Sequence, residues 1–455
     1  MMRTVAARRG MALHYRDPAE EVMQKTYSAE RIRPEDHIAT LARLWKENLA
    51  EGGASDELAA RRMRWFLEEN PAGPPRTWLG THGPATPPGP SAGEPRPAPD
   101  PEREVIGCAS FFPRVTHIAG RRVTAGILSD FAVDRAHRTA GAAMSIQRAI
   151  AQGARDAGAE ILYAFPNRAS FPIFQRCGYA KIADAAMWVK PLTAAYKLRE
   201  LGSAAPEDRR EAAHAIAGRV TERARGVIPA EPWRAAWDSA LPVWIEDRVV
   251  DAIDAPDHPL VRVGVRAADA ALAARDTALL LARRRRVDGE IARRADERFD
   301  ELWSRAQIRY TTGERTAAYM NWRYATFKTT DYRFFCVTDR KDGQLIGYAV
   351  YYLQGNKVVI ADLFCDDLDA HIDLVLLKLG ERMRREGHES MGLAFVGAPS
   401  LGQRLRSIGF FQRPLPKDVG SRWLIARLDK DVPEDLRAAL LGPDRWWMTE
   451  GELDA

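Results

Sequence analysis

The chain has 455 residues, 46% of them apolar, and a formal net charge of +5. This length favours two domains with connectors over one, and so modest a charge admits anionic small molecules while giving no signature of nucleic-acid binding. The four cysteines, Cys108, Cys177, Cys336 and Cys365, lie far apart with no CxxC and no His/Cys metal spacing, so neither a disulfide framework nor a metal site is expected and a reducing cytosol fits.

Met1 to Asp17 carries several arginines but no apolar core long enough for a signal peptide, and no run is long enough to span a bilayer. A cytoplasmic protein is expected, with the Arg and Ala bias of a GC-rich bacterial genome. Ile38, Leu41, Leu44 and Trp45 recur at helical spacing. A second apolar segment with Met63, Trp65, Phe66 and Leu67 stops at Asn70-Pro71, and Trp78-Leu79 and Glu104 to Phe112 read as strands. Between those strands, residues 83–101 are dominated by Pro, Gly, Ala and Ser. That composition cannot bury enough apolar surface to offset its ordering entropy, so a disordered insertion in a hairpin is expected.

The stretch from Asp130 to Ala143 is the most informative. It reads as a buried strand, a short basic loop with Arg135, His137 and Arg138, and a helix that opens at Gly141. Backbone N–H groups at such a helix start, with the helix dipole behind them, make an anion cradle. A glycine lets the backbone approach a ligand where a Cβ would obstruct it. Then come Ile146, Ile150, Gly153, Ala154 and Ala157 on one helical face, a stop at Gly158, a strand from Glu160 to Phe165, a break at Pro166-Asn167, and a short helix from Ala169 to Arg176 before Gly178-Tyr179.

The spacing Arg138-x-x-Gly141-x-Ala143 resembles the Q/R-x-x-G-x-G/A signature of the GNAT (general N-acetyltransferase) superfamily, and the order of elements over residues 28–190 is similar to that family's. The resemblance implies that acetyl-CoA or another acyl-CoA is the donor. Its diphosphate would be held by Arg138, Thr139, Ala140, Gly141, Ala142 and Ala143. A backbone N–H among Phe131, Ala132 and Val133 would receive the developing oxyanion. Asn167 would contact the pantetheine or cap the next helix. An acceptor amine would attack the thioester directly, with Asp130, or more weakly Ser129 or Tyr163, as the proton-handling group. Two positions depart from the family pattern: Phe174 stands where many members place a tyrosine, and Ile127 where some place a glutamate. Strand alternation could also turn Asp130 away from the cleft.

The chain also repeats itself. Ile106-Gly107 to Phe112 has a counterpart in Ile346-Gly347 to Tyr352, Ile127 to Phe131 in Val359 to Leu363, and Phe174 to Tyr179 in Leu405 to Phe410. The offset is 232 between Asp130 and Asp362 and 231 between Gly178 and Gly409. In the second copy Asp366, Asp367 and Asp369 stand where the first has arginines, and no glycine follows. Two unit charges about 4 Å apart interact by roughly 1 to 4 kcal/mol, so this copy is expected to repel a diphosphate and to shape the acceptor cleft or stabilise its partner.

The expected architecture is α/β, with mixed sheets in two GNAT-like domains joined by a helical connector: residues 28–195, the connector 196–300, a degenerate copy 301–428, and a tail 429–455. Arg283 to Arg286 reads as a solvated helix end or a patch for an anionic partner, and Trp322 and Tyr324 as packing or as a stacking platform for a sugar or nucleotide. The expected function is acyl transfer to an amine of a small molecule or sugar. The alternatives are an inactive acyl-CoA-binding scaffold and an aminoacyl-tRNA-dependent transferase in the manner of the Fem proteins. Acceptor, acyl length, pathway and oligomeric state are not written in the sequence.

Overall fold

The structure, a computed structural model, describes residues 26–50, 53–84, 95, 100–202, 258–283, 285–327, 329–414, 423–428 and 432–452, together with residue 250 and parts of 205–218. Most of the proline-rich insertion and the middle of the connector lie outside the described residues.

The first half runs β1 (Thr26–Ile32), α1 (Ile38–Asn48), α2 (Asp56–Glu68), β2 (Arg76–Gly83), β3 (Glu104–Ile118), β4 (Arg121–Val133), α3 (Ala140–Gly153), β5 (Ile161–Ala164), α4 (Phe171–Arg176), β6 (Ala180–Asp184) and β7 (Ala186–Pro191). α5 (Ala194–Gly202) and α6 (Pro259–Ala282) follow. The second half runs β8 (Val287–Ala292), α7 (Glu297–Arg305), β9 (Thr312–Gly313), α8 (Ala317–Asn321), β10 (Arg333–Asp339), β11 (Leu345–Gln354), β12 (Lys357–Cys365), α9 (Leu368–Arg385), β13 (Ser390–Gly397), α10 (Pro399–Ser407), β14 (Phe411–Arg413), β15 (Trp423–Leu428), α11 (Glu434–Leu441) and β16 (Trp447–Thr449). Ser55 caps α2 by accepting the Leu58 N–H, and Gly158 and Gly178 take φ of +91° and +87°, the left-handed conformation that ends a helix cheaply on glycine.

Two mixed sheets result. The first has the order β1-β2-β3-β4-β5-β15-β6, with β9 added to β3; the second has β14-β7-β13-β12-β11-β10-β8, with β16 added to β13. Aligned by the internal repeat, the two orders are the same, and they reveal an exchange. β7, from the first half, pairs with β13 over Ala186–Pro191, and β15, from the second half, pairs with β5 over Trp423–Leu428's last four residues. Each half therefore completes the other's sheet. The domain limits expected from the sequence differ accordingly: β8 lies before residue 301 yet forms the edge of the second sheet, and residues 432–452 are built into the body rather than forming a tail. A chain-order division cannot anticipate a strand that leaves its own sheet.

The largest apolar cluster is common to both halves, and two smaller ones pack against the first sheet. Trp65 of α2 stacks on Trp322 with ring centroids 4.9 Å apart and planes 12° from parallel. Each indole N–H donates to the other residue's carbonyl, at 2.8 and 3.1 Å. Trp322 and Tyr324 are buried, so they pack the junction and offer no platform to a ligand. Of the Arg283–Arg286 run, Arg283 pairs with the buried Asp373 and Arg285 with Asp339; these are structural ties, and Arg284 lies outside the described residues. No helix among the described residues is long and apolar enough to cross a membrane.

Candidate active site

The site is made by a sheet that stops pairing. β4 and β5 run parallel, but their register covers only Ala125–Ile127 against Ile161–Tyr163. Just beyond, the β3–β4 ladder shifts register between Cys108 and Ser110, and Asp130 takes a φ of +52°. This is a β-bulge, which bends a strand and ends its regular pairing. Asp is among the few residues that tolerate this conformation. Past Ile127, no described strand pairs with the β5-facing edge of β4, so the slot is lined by main-chain groups that lack a ladder partner.

The second sheet has the same defect and fills it. β12 and β13 pair in parallel over Lys357–Ile360 and Ser390–Leu393, and a bulge follows at Val350/Tyr351 on the neighbouring ladder. There β16 adds to Phe395–Gly397. Phe395 also pairs with Ala186 of β7 on its other edge, so β16 occupies the edge that faces β12. The Trp447 indole N–H donates to Leu363 O at 3.0 Å and Thr449 Oγ1 lies 2.8 Å from Asp362 Oδ1. The chain's own strand closes this second slot.

The helix starts differ in the same sense. In the first half, Thr139 caps α3 by accepting the Ala142 N–H on its hydroxyl and the Ala143 N–H on its carbonyl. Ala140 and Gly141 supply the remaining first-turn N–H groups that helix geometry leaves without an i−4 acceptor. The Arg138 guanidinium donates from Nε to Val133 O and reaches Asn48 Oδ1, both at 3.1 Å, which fixes the loop's path. A Cβ on Gly141 would sit 3.3 Å from the Tyr27 ring. Beside Gly141 runs an open groove of about 690 Å³ lined by Tyr27, Ser145, Arg148, Gln152 and Arg176 among others. In the second half, Asp367 caps α9 by accepting the Ala370 N–H, Asp366 accepts the Asp367 N–H, and Arg309 bridges Asp367 and Asp369. Carboxylates already occupy the place an incoming anion would need.

The residues expected to handle the proton are dispersed. Both carboxylate oxygens of Asp130 receive Arg62, at 2.7 and 3.0 Å, in a pair whose side chains are 4% and 10% exposed. Arg62 in turn lies over the Trp45 ring. Tyr163 points into the shared core, where its hydroxyl donates to Glu452 at 3.3 Å. Burial, reinforced by Glu452, pushes that phenol well above its ordinary range, so it stays protonated. Ser129 is buried and its hydroxyl has no hydrogen-bond partner among the described residues. Asn167 turns its Oδ1 back on the chain, accepting the Ala169 and Ser170 N–H groups at 3.0 and 2.9 Å. Phe174 is buried with its ring edge-to-face on Phe131, 5.9 Å between centroids. Ala132 is buried, while Phe131 and Val133 remain half-buried on the part of β4 that runs beside β3 but no longer pairs with β5. Cys177 is half-buried, and burial raises its thiol above the ordinary value, which makes it a poor nucleophile.

Sequence reading missed four contributors: Arg62, Glu452, and the buried Arg114 and Arg315 that pair with Glu452. They carry no local motif, and their ion-pair partners lie 47 to 338 residues away.

Residues 99–182 match the family model described as an acetyltransferase (GNAT) domain. No curated protein matches the chain in sequence. Among solved structures, the fold is similar to that of a probable N-acyltransferase from Enterococcus faecalis V583, at 10% identity and a TM-score of 0.51 over 89% of this chain and 73% of that one. A GCN5-related N-acetyltransferase from Anabaena variabilis follows at 12% identity and 0.49, over 88% and 72%, and one from Kribbella flavida at 12% and 0.45, over 89% and 71%. Residues 99–182 thus form a GNAT domain, and the two sheets of equivalent strand order fit a tandem arrangement in which carboxylates stand at the start of the second helix.

Proposed function

We propose that the chain is an acyl-CoA-dependent N-acyltransferase that moves an acetyl or other acyl group to an amine of a small molecule or sugar. One observation carries the reading: of two equivalent slots, the second is closed by β16 and by carboxylates at its helix start, whereas the first has no strand in it among the described residues and a cationic loop at its mouth. The diphosphate would lie on the amides of residues 138–143, with Arg148 and Arg176 toward the nucleotide. The pantetheine would lie along the free edge of β4. The acceptor nitrogen attacks the thioester carbonyl; the C–N bond forms, the C–S bond breaks, and the oxyanion is met by an N–H among Phe131–Val133. The ammonium proton passes to water or a base and the thiolate takes one back. Asp130, fixed by Arg62, then serves the bulge rather than the proton transfer.

A second reading, an acyl-CoA-binding scaffold without turnover, is favoured by Phe174 in the place of a proton donor and by the engagement of Asp130 and Tyr163. Titration calorimetry with acetyl-CoA and longer acyl-CoAs tests the site. Binding should be saturable and should fall at least a hundredfold in Gly141→Glu, which sets a side chain against Tyr27 and a charge in the cradle. Equal binding by wild type and variant sinks both readings. Release of free CoA in the presence of a panel of amines separates transferase from scaffold.

A further inference from the structure

The loop that forms the cradle meets two other elements at a set of donors which none of the chemistry above employs. His82 of β2 and Glu104 of β3 are direct cross-strand partners, so their side chains leave the same face. His137, in the turn before Arg138, closes over them: its Nε2 lies 3.4 Å from a Glu104 carboxylate oxygen, and its ring centroid is 5.0 Å from that of His82. One ligand atom from each of the three lies within 4.8 Å of the others.

We propose that His82, Glu104 and His137 form a site for a zinc-class divalent cation. Two imidazoles and a carboxylate are a recurrent three-ligand set for zinc, with the fourth position left to water or another ligand. Tetrahedral bonds of about 2.0 to 2.1 Å put ligand atoms roughly 3.3 to 3.4 Å apart, which His137 and Glu104 already satisfy. The remaining closure is no more than about 1.5 Å, within reach of a side-chain rotation of His82. His82 and His137 are half-buried and the Tyr27 ring packs on both, at 4.8 and 6.1 Å, which limits the directions the imidazoles can take; Glu104 is exposed and free to adjust. Each ligand comes from a different element, and no pair has the sequence spacing of a metal motif. Bound metal would tie the turn at His137 to the β2–β3 ladder. The stiffening of the diphosphate loop that follows rests on the acyl-CoA reading, but the site does not.

The test uses the full chain, tag-free and stripped with chelator, and needs no acyl-CoA, so its failure and that of the transferase reading are told apart. Zinc chloride titrated calorimetrically should bind with a stoichiometry of one and a micromolar or tighter Kd. Glu104→Gln and His137→Gln should each weaken it at least tenfold, and zinc should raise the Tm of the wild type but not of the double variant. Glu104 is exposed, so its variant keeps the fold even if His137→Gln does not. Cobalt loading should give visible bands without a thiolate charge-transfer band. Equal zinc uptake by wild type and Glu104→Gln, or a thiolate signature in the cobalt spectrum, overturns the proposal.

Discussion

Glu452 shows how one residue can join both halves. It is buried, its carboxylate pairs with Arg114 of β3 at 3.1 Å and Arg315 at 3.3 Å, and it accepts from Tyr163 of β5. Arg315 also grips Asp362, and Thr449 completes that end of the network. Burial pushes the Glu452 carboxyl up, yet Arg114 and Arg315 outweigh burial and hold it below its ordinary value of 4.5. A depressed folded-state pKa means stability that is present above about pH 4.5 and is lost as pH falls through the lower folded value. Glu452→Gln should therefore cost about 3 to 5 kcal/mol at neutral pH, because two buried guanidinia lose a counter-charge. It should also flatten the acid limb of the stability curve, measured by urea unfolding at a series of pH values between 3 and 7. An acid limb as steep as that of the wild type would contradict the assignment.

At the scale of elements, the exchange of β7 and β15 decides which segments can fold alone. β15 sits between β5 and β6, and its Ile425 is fully buried. A proline there removes a ladder N–H from an interior strand and cannot be accommodated. Ile425→Pro should destabilise the first sheet although it lies 261 residues beyond Ala164, where β5 ends. Hydrogen exchange would register this as lost protection in β5 and β6, whereas protection lost only in the second sheet would refute the pairing. The same logic separates the slots: β16 gives the second slot a strand drawn from the chain, whereas no described strand pairs with that edge in the first.

The whole molecule carries two sheets joined through one large apolar cluster common to both halves, and held by reciprocal strands, by the Trp65–Trp322 stack and by the buried charge network. Neither half retains a complete sheet when the other unfolds, so calorimetry should give a single unfolding transition with van't Hoff and calorimetric enthalpies in agreement. Two resolved transitions would show that the exchanged strands do not couple the halves.

Much of this was legible from residue patterns, because it depends on neighbours along the chain. The offset between Asp130 and Asp362 pointed to the repeated sheet, Arg138-x-x-Gly141-x-Ala143 to the loop and helix start after β4, and the carboxylates after Cys365 to the different helix start of the second copy. Strand and helix periods, breakers and helix-start charges are local quantities, and local free energies decide them. Which sheet β7 and β15 join, that Arg62 takes Asp130, that Glu452 reaches Tyr163, and that His82, Glu104 and His137 converge were decided only by the folded chain. Those contacts join residues that the backbone separates by 22 to 289 positions, and burial of a shared core, rather than any preference of the residues themselves, brings them together.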